Sequence, residues 1–169
     1  MMRPLIVCGF PGVGKTACEK YKRVLDAESS AYSHNFDPAT NEITRNDIFP
    51  KNYIDMVEKE IEYDNYDIIL LSCHKCVRDE LKRRGIEYVV VVPYTDCKNE
   101  YMIRYLRRGS DCSFMNEMFE NWERYISEIV NPELRIGSVP TIEDVPAVHG
   151  ETIVRLEKGM YISEILPIF

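Results

Sequence analysis

The segment PLIVCGFPGVGKT, residues 4–16, decides the expected fold of this chain. An apolar run, Leu5 to Cys8, leads directly into Gly9-Phe10-Pro11-Gly12-Val13-Gly14-Lys15-Thr16. The second part matches G-x-x-x-x-G-K-[ST], a loop that wraps phosphate groups and stands between a strand and a helix. The apolar run therefore predicts a buried strand, and the residues from Lys15 to Lys22 are expected to form the helix.

The pattern assigns a role to each part of this loop. Glycines allow the backbone to pass close to phosphates, and a helix N-terminus directs its free N–H groups at an anion. Lys15 is expected to reach the β- and γ-phosphates, and the Thr16 hydroxyl to ligate Mg²⁺. The expected nucleotide contacts are Gly9, Pro11, Gly12, Val13, Gly14, Lys15, Thr16 and Ala17. ATP is the expected nucleotide because the guanine-reading string N-K-x-D is absent from the sequence.

Composition narrows the possible partners. The chain has 169 residues, 45% of them hydrophobic, which suits one globular domain over residues 1–169. Its net charge of −7 disfavours binding to nucleic acid and to anionic membranes, so a small molecule is the expected partner. The N-terminus lacks an apolar run of signal-peptide length, and the six cysteines lack the spacing of a secreted scaffold. We therefore expect a cytoplasmic protein.

Strand and helix patterns alternate along the chain. Continuous apolar runs, typical of strands buried on both faces, predict a parallel sheet covered by helices. The predicted strands are Leu5–Cys8, Arg23–Leu25, Ile68–Ser72, Glu87–Val92 and Thr152–Leu156, and the further predicted helices are Lys51–Tyr63, Lys75–Arg84, Cys97–Arg108 and Ser113–Val130. This predicts an α/β fold of three layers with a five-stranded parallel sheet, and a long loop at Asn131–Gly150.

Two features favour transfer of a phosphoryl group over hydrolysis. Arg104 shares a helical face with Arg107 and Arg108, so the three are expected in a lid that closes over the transferring group, or else on a solvated basic face. Asp26 follows the second predicted strand, where it can accept a hydroxyl proton, bind substrate or metal, or merely cap a loop. The third strand ends in Ser72 and Cys73 and lacks the acidic residue that motor ATPases use to activate water.

The acceptor of the phosphoryl group is expected to lie against the polar and aromatic region Ser29–Tyr53. Tyr32, Phe36, Phe49 and Tyr53 are candidates to stack on a base, and Arg45 and Lys51 to contact a phosphate. The Cys73-His74-Lys75-Cys76 string also matches a metal clip or a redox pair, but no second ligand pair occurs at zinc-site spacing. Both alternatives are therefore disfavoured.

Four further segments, FPKNYIDMV, CHKCVRDEL, EYMIRYLRRG and FENWERYISE, accompany the glycine-rich loop. With that loop, the chain resembles the adenylate kinase-like nucleoside and nucleotide kinases, and is similar to small kinase-like proteins of bacteriophages and some bacteria. The resemblance implies a P-loop kinase domain whose five-stranded parallel sheet has the order 2-3-1-4-5, with an acceptor-binding insertion at about 27–60 and a helical lid at about 97–130. It also implies that Arg104, with Arg107 or Arg108, belongs to the lid. Adenylate kinases follow the third strand with Asp-Gly-Phe-Pro-Arg, so here Lys75 or Arg78 is expected to bind the acceptor instead.

The leading hypothesis is therefore a Mg-ATP-dependent nucleoside monophosphate kinase. Its expected catalytic residues are Lys15, Asp26, Arg104 and Arg108, and its expected substrate contacts are Arg45, Tyr53, Lys75, Arg78 and Arg107. A second hypothesis keeps the reaction but transfers the phosphoryl group to a hydroxyl on a nucleoside, a modified base or another small molecule. A third is an ATP-binding regulatory module without phosphotransfer.

Overall fold

The architecture is described by a computed structural model for residues 3–130 and 152–167. In chain order the elements are β1 (Leu5–Gly9), β2 (Val24–Asp26), α1 (Ser30–Ser33), β3 (His34–Asp37), β4 (Glu42–Arg45), α2 (Lys51–Tyr63), β5 (Ile68–Ser72), α3 (Lys75–Arg83), β6 (Val89–Pro93), α4 (Lys98–Arg107), α5 (Cys112–Ile129) and β7 (Thr152–Leu156). The fold is α/β, as predicted.

Five strands form one all-parallel sheet in the order β2-β5-β1-β6-β7. Counting only these strands, this is the predicted order 2-3-1-4-5. β1 lies at the centre, where Val7 pairs with Leu70 on one side and Val89 on the other. The strands on either side of β1, β5 and β6, are buried along almost their whole length. Their continuous apolar runs suit a sheet that helices cover on both faces. The P-loop NTPase assignment itself remains a prediction.

The register brings three chain segments to one edge of the sheet. Gly9 at the end of β1 pairs with Ser72 at the end of β5, and Asp26 at the end of β2 pairs with Leu70. Because the strands are parallel, their carboxyl ends lie together, and the segments that follow converge at this edge. Asp26 is the last residue of β2 and not the residue after it, a shift of one from the prediction.

The helix predicted from Lys15 to Lys22 is wrong. Only a single 3₁₀ turn forms, Thr16–Cys18, with i→i−3 bonds such as Cys18 N–H to the Lys15 carbonyl at 2.8 Å. The segment must return to the start of β2 in few residues, and a 3₁₀ turn advances about 2.0 Å per residue, compared with about 1.5 Å for an α-helix. No helix dipole is therefore available behind the glycine-rich loop.

The predicted acceptor segment contains structure that the sequence did not reveal. α1 leads into a separate hairpin in which β3 and β4 pair antiparallel, with Phe36 opposite Ile43. Both side chains are exposed. The long loop predicted at Asn131–Gly150 lies outside the described residues, and none of the described helices is long and apolar enough to span a bilayer.

The predicted lid segment supplies part of the core. In α4, Tyr101 and Tyr105 are fully buried, and in α5 the same holds for Trp122. The Trp122 ring packs at 5.5 Å from the ring of Phe10 and 5.3 Å from that of Tyr101, centroid to centroid. The two helices are therefore held against the glycine-rich loop.

An ion-pair cluster around Arg84 joins α2 to the end of α3. The Arg84 guanidinium, with its side chain 10% exposed, contacts Glu80 at 2.8 Å, Glu58 at 2.6 Å and Asp55 at 2.8 Å. Hydrogen bonds from Arg83 and Arg84 lower the pKa of Glu80 to about 2. Arg83 shares the Glu80 partner, but its side chain is 64% exposed.

We expect Arg84→Met to lower Tm by roughly 5 °C, because it leaves three carboxylates without their shared cation. Arg83→Met is the matched control and should leave Tm nearly unchanged, because exposed ion pairs contribute little. The depressed pKa of Glu80 means that its stabilising contribution is present above its ordinary value of 4.5 and is lost as pH falls towards 2. The difference in Tm between wild type and Arg84→Met, followed by circular dichroism, should narrow over that interval.

Candidate functional site

The glycine-rich loop, residues 9–16, leaves the carboxyl end of β1 in a conformation that requires glycine at two positions. Gly12 and Gly14 have φ values of +87° and +97°, which favour residues without a Cβ. A Cβ on Gly12 would lie 2.8 Å from the ring of Tyr105, and one on Gly14 would lie 2.9 Å from the ring of Tyr161. Both backbone strain and close neighbours therefore exclude larger residues.

The face of this loop that packs against α4 and the segment after β7, its outer side, is held by Arg104. Its guanidinium donates to the Gly12 carbonyl at 2.9 Å and to the Met160 carbonyl at 2.8 Å. The same group lies between two aromatic rings, 4.5 Å from the centroid of Tyr101 and 3.9 Å from that of Tyr161. Arg104 thus fastens α4, the loop and the segment after β7 to one another.

Three more contacts support this fastening. Glu100 pairs with Arg104 and also accepts a hydrogen bond from the Gly159 N–H at 2.8 Å. The Tyr105 hydroxyl donates to the Pro11 carbonyl at 2.8 Å. The Ile162 N–H donates to the Val13 carbonyl at 2.9 Å. The loop backbone is therefore held on its outer side by hydrogen bonds to its carbonyl groups. These groups already have partners and are not available to a ligand.

The arginine lid expected from the sequence is not assembled here. The side chain of Arg104 is 9% exposed and bonded to backbone carbonyls, so it positions the loop, and its role in a lid stays a prediction. Arg108 stacks over the rings of Tyr105 and Phe114 and donates to the Ser110 hydroxyl at 2.7 Å. Arg107 is exposed on α4. The structure therefore does not bring these three guanidinium groups together at one site.

The opposite face of the loop, its inner side, carries Lys15 and Thr16 and lies beside Asp26 of β2. The Lys15 ammonium donates to the Gly9 carbonyl at 3.1 Å, and the Thr16 hydroxyl donates to Oδ2 of Asp26 at 3.0 Å. Asp26 is 8% exposed, and its Oδ1 has no hydrogen-bond partner among the described residues. Burial raises the pKa of Asp26, while the charge of Lys15 and the bond from Thr16 act in the opposite direction.

These three residues fit a bound magnesium ion with phosphates. Mg²⁺ prefers oxygen ligands, and Thr16 offers a hydroxyl oxygen beside the carboxylate of Asp26, to which it is hydrogen-bonded. Lys15 adds a positive charge for phosphate oxygens. A buried carboxylate that is not fully bonded is costly, so such an arrangement is typical of a functional site.

A cleft of about 330 Å³ opens beside the loop. Its lining combines the ends of β1 and β5, the start of α3 and one side of α5. The lining residues are Gly9, Phe10, Pro11, Lys15, Ser72, Cys73, His74, Lys75, Arg78, Phe114, Glu117, Met118, Tyr125, Glu128 and Ile129. A volume of this size lies at the small end of the range for ligand pockets, so it suits one small molecule.

The predicted acceptor residues are divided between this cleft and other places. Lys75 and Arg78 line the cleft, although Lys75 also pairs with Asp79 and Arg78 donates to the Cys73 carbonyl at 3.3 Å. Arg45 lies on the hairpin. Tyr53 is fully buried and its hydroxyl donates to the Ala27 carbonyl, so the expectation that it contacts substrate is replaced by a place in the core.

Sequence reasoning missed the contribution of α5. Phe114, Met118, Tyr125 and Ile129 line the cleft from this helix, and Glu117 lies in the same stripe. Their spacing of four, seven and four residues places them on one helical face, which was the available signal. The polar residues in that stripe distinguish it from a simple core face.

The cysteines of the Cys73-His74-Lys75-Cys76 string are not arranged for redox or metal chemistry. Burial raises the pKa of Cys73 to about 11, so its thiol stays protonated at neutral pH. Within residues 3–130 and 152–167, no three His, Cys, Asp or Glu side chains are grouped as a metal site. In the cleft, reduced hydration lowers the pKa of His74, as do the charges of Lys15 and Arg45, against the opposing charge of Glu117.

No protein-family model matches the chain, and no curated protein is significantly similar to it. Among solved structures, an uncharacterized protein from Eubacterium ventriosum is similar over 96% of this chain and 93% of that one. The two are 14% identical, with a TM-score of 0.43. Similarity at this level carries no argument about the activity of either protein.

The role of Arg104 in holding the loop is testable without any ligand. We expect Arg104→Met to lower the free energy of unfolding by about 3 kcal/mol, because the Gly12 and Met160 carbonyls lose a donor and Glu100 loses its partner. Arg107→Met, an exposed change on the same helix, should have little effect. Thermal melts of both variants measure the difference in stability. An unchanged Tm for Arg104→Met would contradict its role in holding the loop and favour the predicted role in a lid.

Proposed function

We propose that this protein is an ATP-dependent phosphotransferase. The observation that carries the proposal is the constellation of Lys15, Thr16 and Asp26, which lies on and beside the glycine-rich loop at the carboxyl edge of a parallel sheet. Two of its members are joined by the Thr16–Asp26 hydrogen bond, and the third lines the neighbouring cleft. Ligands of open α/β sheets bind at this edge.

The donor phosphates are expected to lie against the loop backbone and Lys15. With no α-helix behind the loop, the anion must be stabilised by the local backbone N–H groups and by the lysine charge, without a helix dipole. Bound magnesium supplies charge neutralisation at the phosphate oxygens. Thr16 is its expected ligand, and the bond to Asp26 orients the Thr16 hydroxyl so that its lone pairs stay available.

Asp26 is the proposed proton acceptor. An oxygen–phosphorus bond forms from the acceptor hydroxyl, the bond from the γ-phosphorus to its bridging oxygen breaks, and the hydroxyl proton passes to Oδ1 of Asp26. A raised pKa makes a carboxylate a stronger base once it is ionised. The bridging oxygen keeps the electron pair of the broken bond and leaves as part of ADP.

The charge around the cleft favours a hydroxyl acceptor without a phosphate of its own. Lys15 is committed to the donor and Lys75 is paired with Asp79, while the cleft lining also carries the carboxylates of Glu117 and Glu128. A monophosphate would carry about two negative charges into this environment and would be repelled. The hydroxyl of a nucleoside, a modified base or a similar small molecule meets no such repulsion.

Transfer to a nucleoside monophosphate is the second candidate. It is favoured by Arg78 and Lys75, which lie side by side at the start of α3 and line the cleft. If Lys75 exchanges Asp79 for a phosphate, the two cations can hold a monophosphate. The two candidates differ only in the acceptor, so one assay separates them.

Asp26→Asn should reduce phosphate transfer at least 100-fold, the size expected for loss of a general base, with ATP affinity changed less than about threefold. Because burial raises the pKa of Asp26, the ionised form costs stability once pH rises through that pKa. The variant should therefore melt at a higher temperature than wild type at pH 7, and this difference should vanish in acid.

Glu28→Gln is the matched control, because Glu28 is exposed two residues along the chain. Turnover, ATP binding by calorimetry and Tm are to be measured for both variants. Equal turnover in Asp26→Asn and wild type would contradict the assignment of the base.

Incubation with Mg-ATP labelled at the γ-phosphate should identify the acceptor class. We expect label on nucleosides or hydroxylated bases, and less on the monophosphates; the panel covers ribo- and deoxy forms of both, together with polymeric DNA. Label only on monophosphates would select the second candidate. No transfer to any acceptor, with ATP still bound and a partner protein lost in Lys15→Ala, would indicate a regulatory module.

A further inference from the structure

The α5 wall of the cleft carries the exposed carboxylate of Glu117, which one hydrogen bond orients. The Tyr125 hydroxyl donates to Oε1 of Glu117 at 2.6 Å, and this bond raises the pKa of Tyr125. Oε2 of Glu117 has no hydrogen-bond partner in the described part of the chain. One oxygen is therefore held while the other can accept a hydrogen bond from a ligand.

Apolar side chains share the cleft lining with this carboxylate. Phe114, Met118 and Ile129 line the cleft on the same helix, and Phe10 lines it from the loop. Such walls suit the faces of a planar ring, and the size of the cleft admits one small molecule. An apolar pocket with a few placed polar groups gains its specificity from those groups.

His74 is the polar group on the α3 side of the same cleft. The Glu117 charge acts on its imidazole, so the two side chains are close enough to interact across the space between them. The pKa of His74 is lowered, so its ring is neutral at pH 7 and does not neutralise Glu117. A ligand between them meets the carboxylate of Glu117 as a hydrogen-bond acceptor.

We propose that Glu117, oriented by Tyr125, selects an acceptor whose planar ring carries an N–H donor. The inference rests on the proposed phosphotransfer and names the recognition chemistry of its second substrate. The ring N–H donates to Oε2 of Glu117 while the apolar side chains of α5 cover the ring. Replacing that N–H with an N-methyl group leaves the carboxylate buried by the ligand without a donor, which is costly.

Two pairs of nucleosides test this assignment: inosine with 1-methylinosine, and uridine with 3-methyluridine. Calorimetry should show that wild type binds the N–H member of at least one pair roughly 10-fold more tightly, the effect of one hydrogen bond to a charged group. Glu117→Ala should bind both members of that pair equally. Tyr125→Phe should retain part of the discrimination, because it loosens the carboxylate without removing it.

Glu120→Ala is the control, because Glu120 is an exposed glutamate on the same helix outside the cleft lining. It should discriminate as wild type does, which separates recognition from any general effect on α5. Discrimination that persists in Glu117→Ala, absence of discrimination in wild type, or failure to bind either pair would overturn the inference. Discrimination without phosphate transfer to any acceptor would instead contradict the proposed function and leave the role of Glu117 supported.

Discussion

The guanidinium of Arg104 is the interaction on which the site geometry depends. It lies between the rings of Tyr101 and Tyr161 and donates to carbonyls on both the glycine-rich loop and the segment after β7. Glycine adopts the positive φ of Gly12 without strain, and the bond from Arg104 to the Gly12 carbonyl selects this conformation among those open to it. A loop fixed in this way keeps its inner side available for a ligand.

The inner side of the loop, by contrast, lies beside a polar group whose hydrogen-bonding capacity is not fully used. Asp26 is buried with one oxygen lacking a partner, close to the ammonium of Lys15 and bonded to Thr16. Such a carboxylate reduces stability at neutral pH, because burial disfavours its ionised form. The proposed phosphotransferase activity accounts for both features, because a rigid phosphate-binding loop and a basic carboxylate are needed at the same place.

The cleft has two walls of different chemistry, and they come from distant parts of the chain. The start of α3 supplies Lys75 and Arg78, while α5 supplies Glu117 and Tyr125 within an apolar stripe. Positive charge near the loop suits the phosphates of the donor. The carboxylate on the far wall suits a neutral acceptor with hydrogen-bond donors, which is why we place the hydroxyl acceptor ahead of a monophosphate.

By itself the sequence determined the five strands of the sheet and the position of the glycine-rich loop, because continuous apolar runs and a local motif depend on few long-range contacts. It also indicated Asp26, from its place after a strand. It predicted a helix after Lys15, where a short crossover instead forms a 3₁₀ turn, and it did not reveal the hairpin of β3 and β4.

The tertiary structure decided which polar residues line the cleft. Arg104 was expected in a lid and Tyr53 as a substrate contact, yet packing places both against backbone carbonyls, whereas Glu117, which was not among the predicted site residues, lines the cleft. A side chain's neighbours across the fold decide whether its hydrogen-bonding capacity is already used. That information resides in contacts between residues far apart in the chain, and a linear pattern does not contain it.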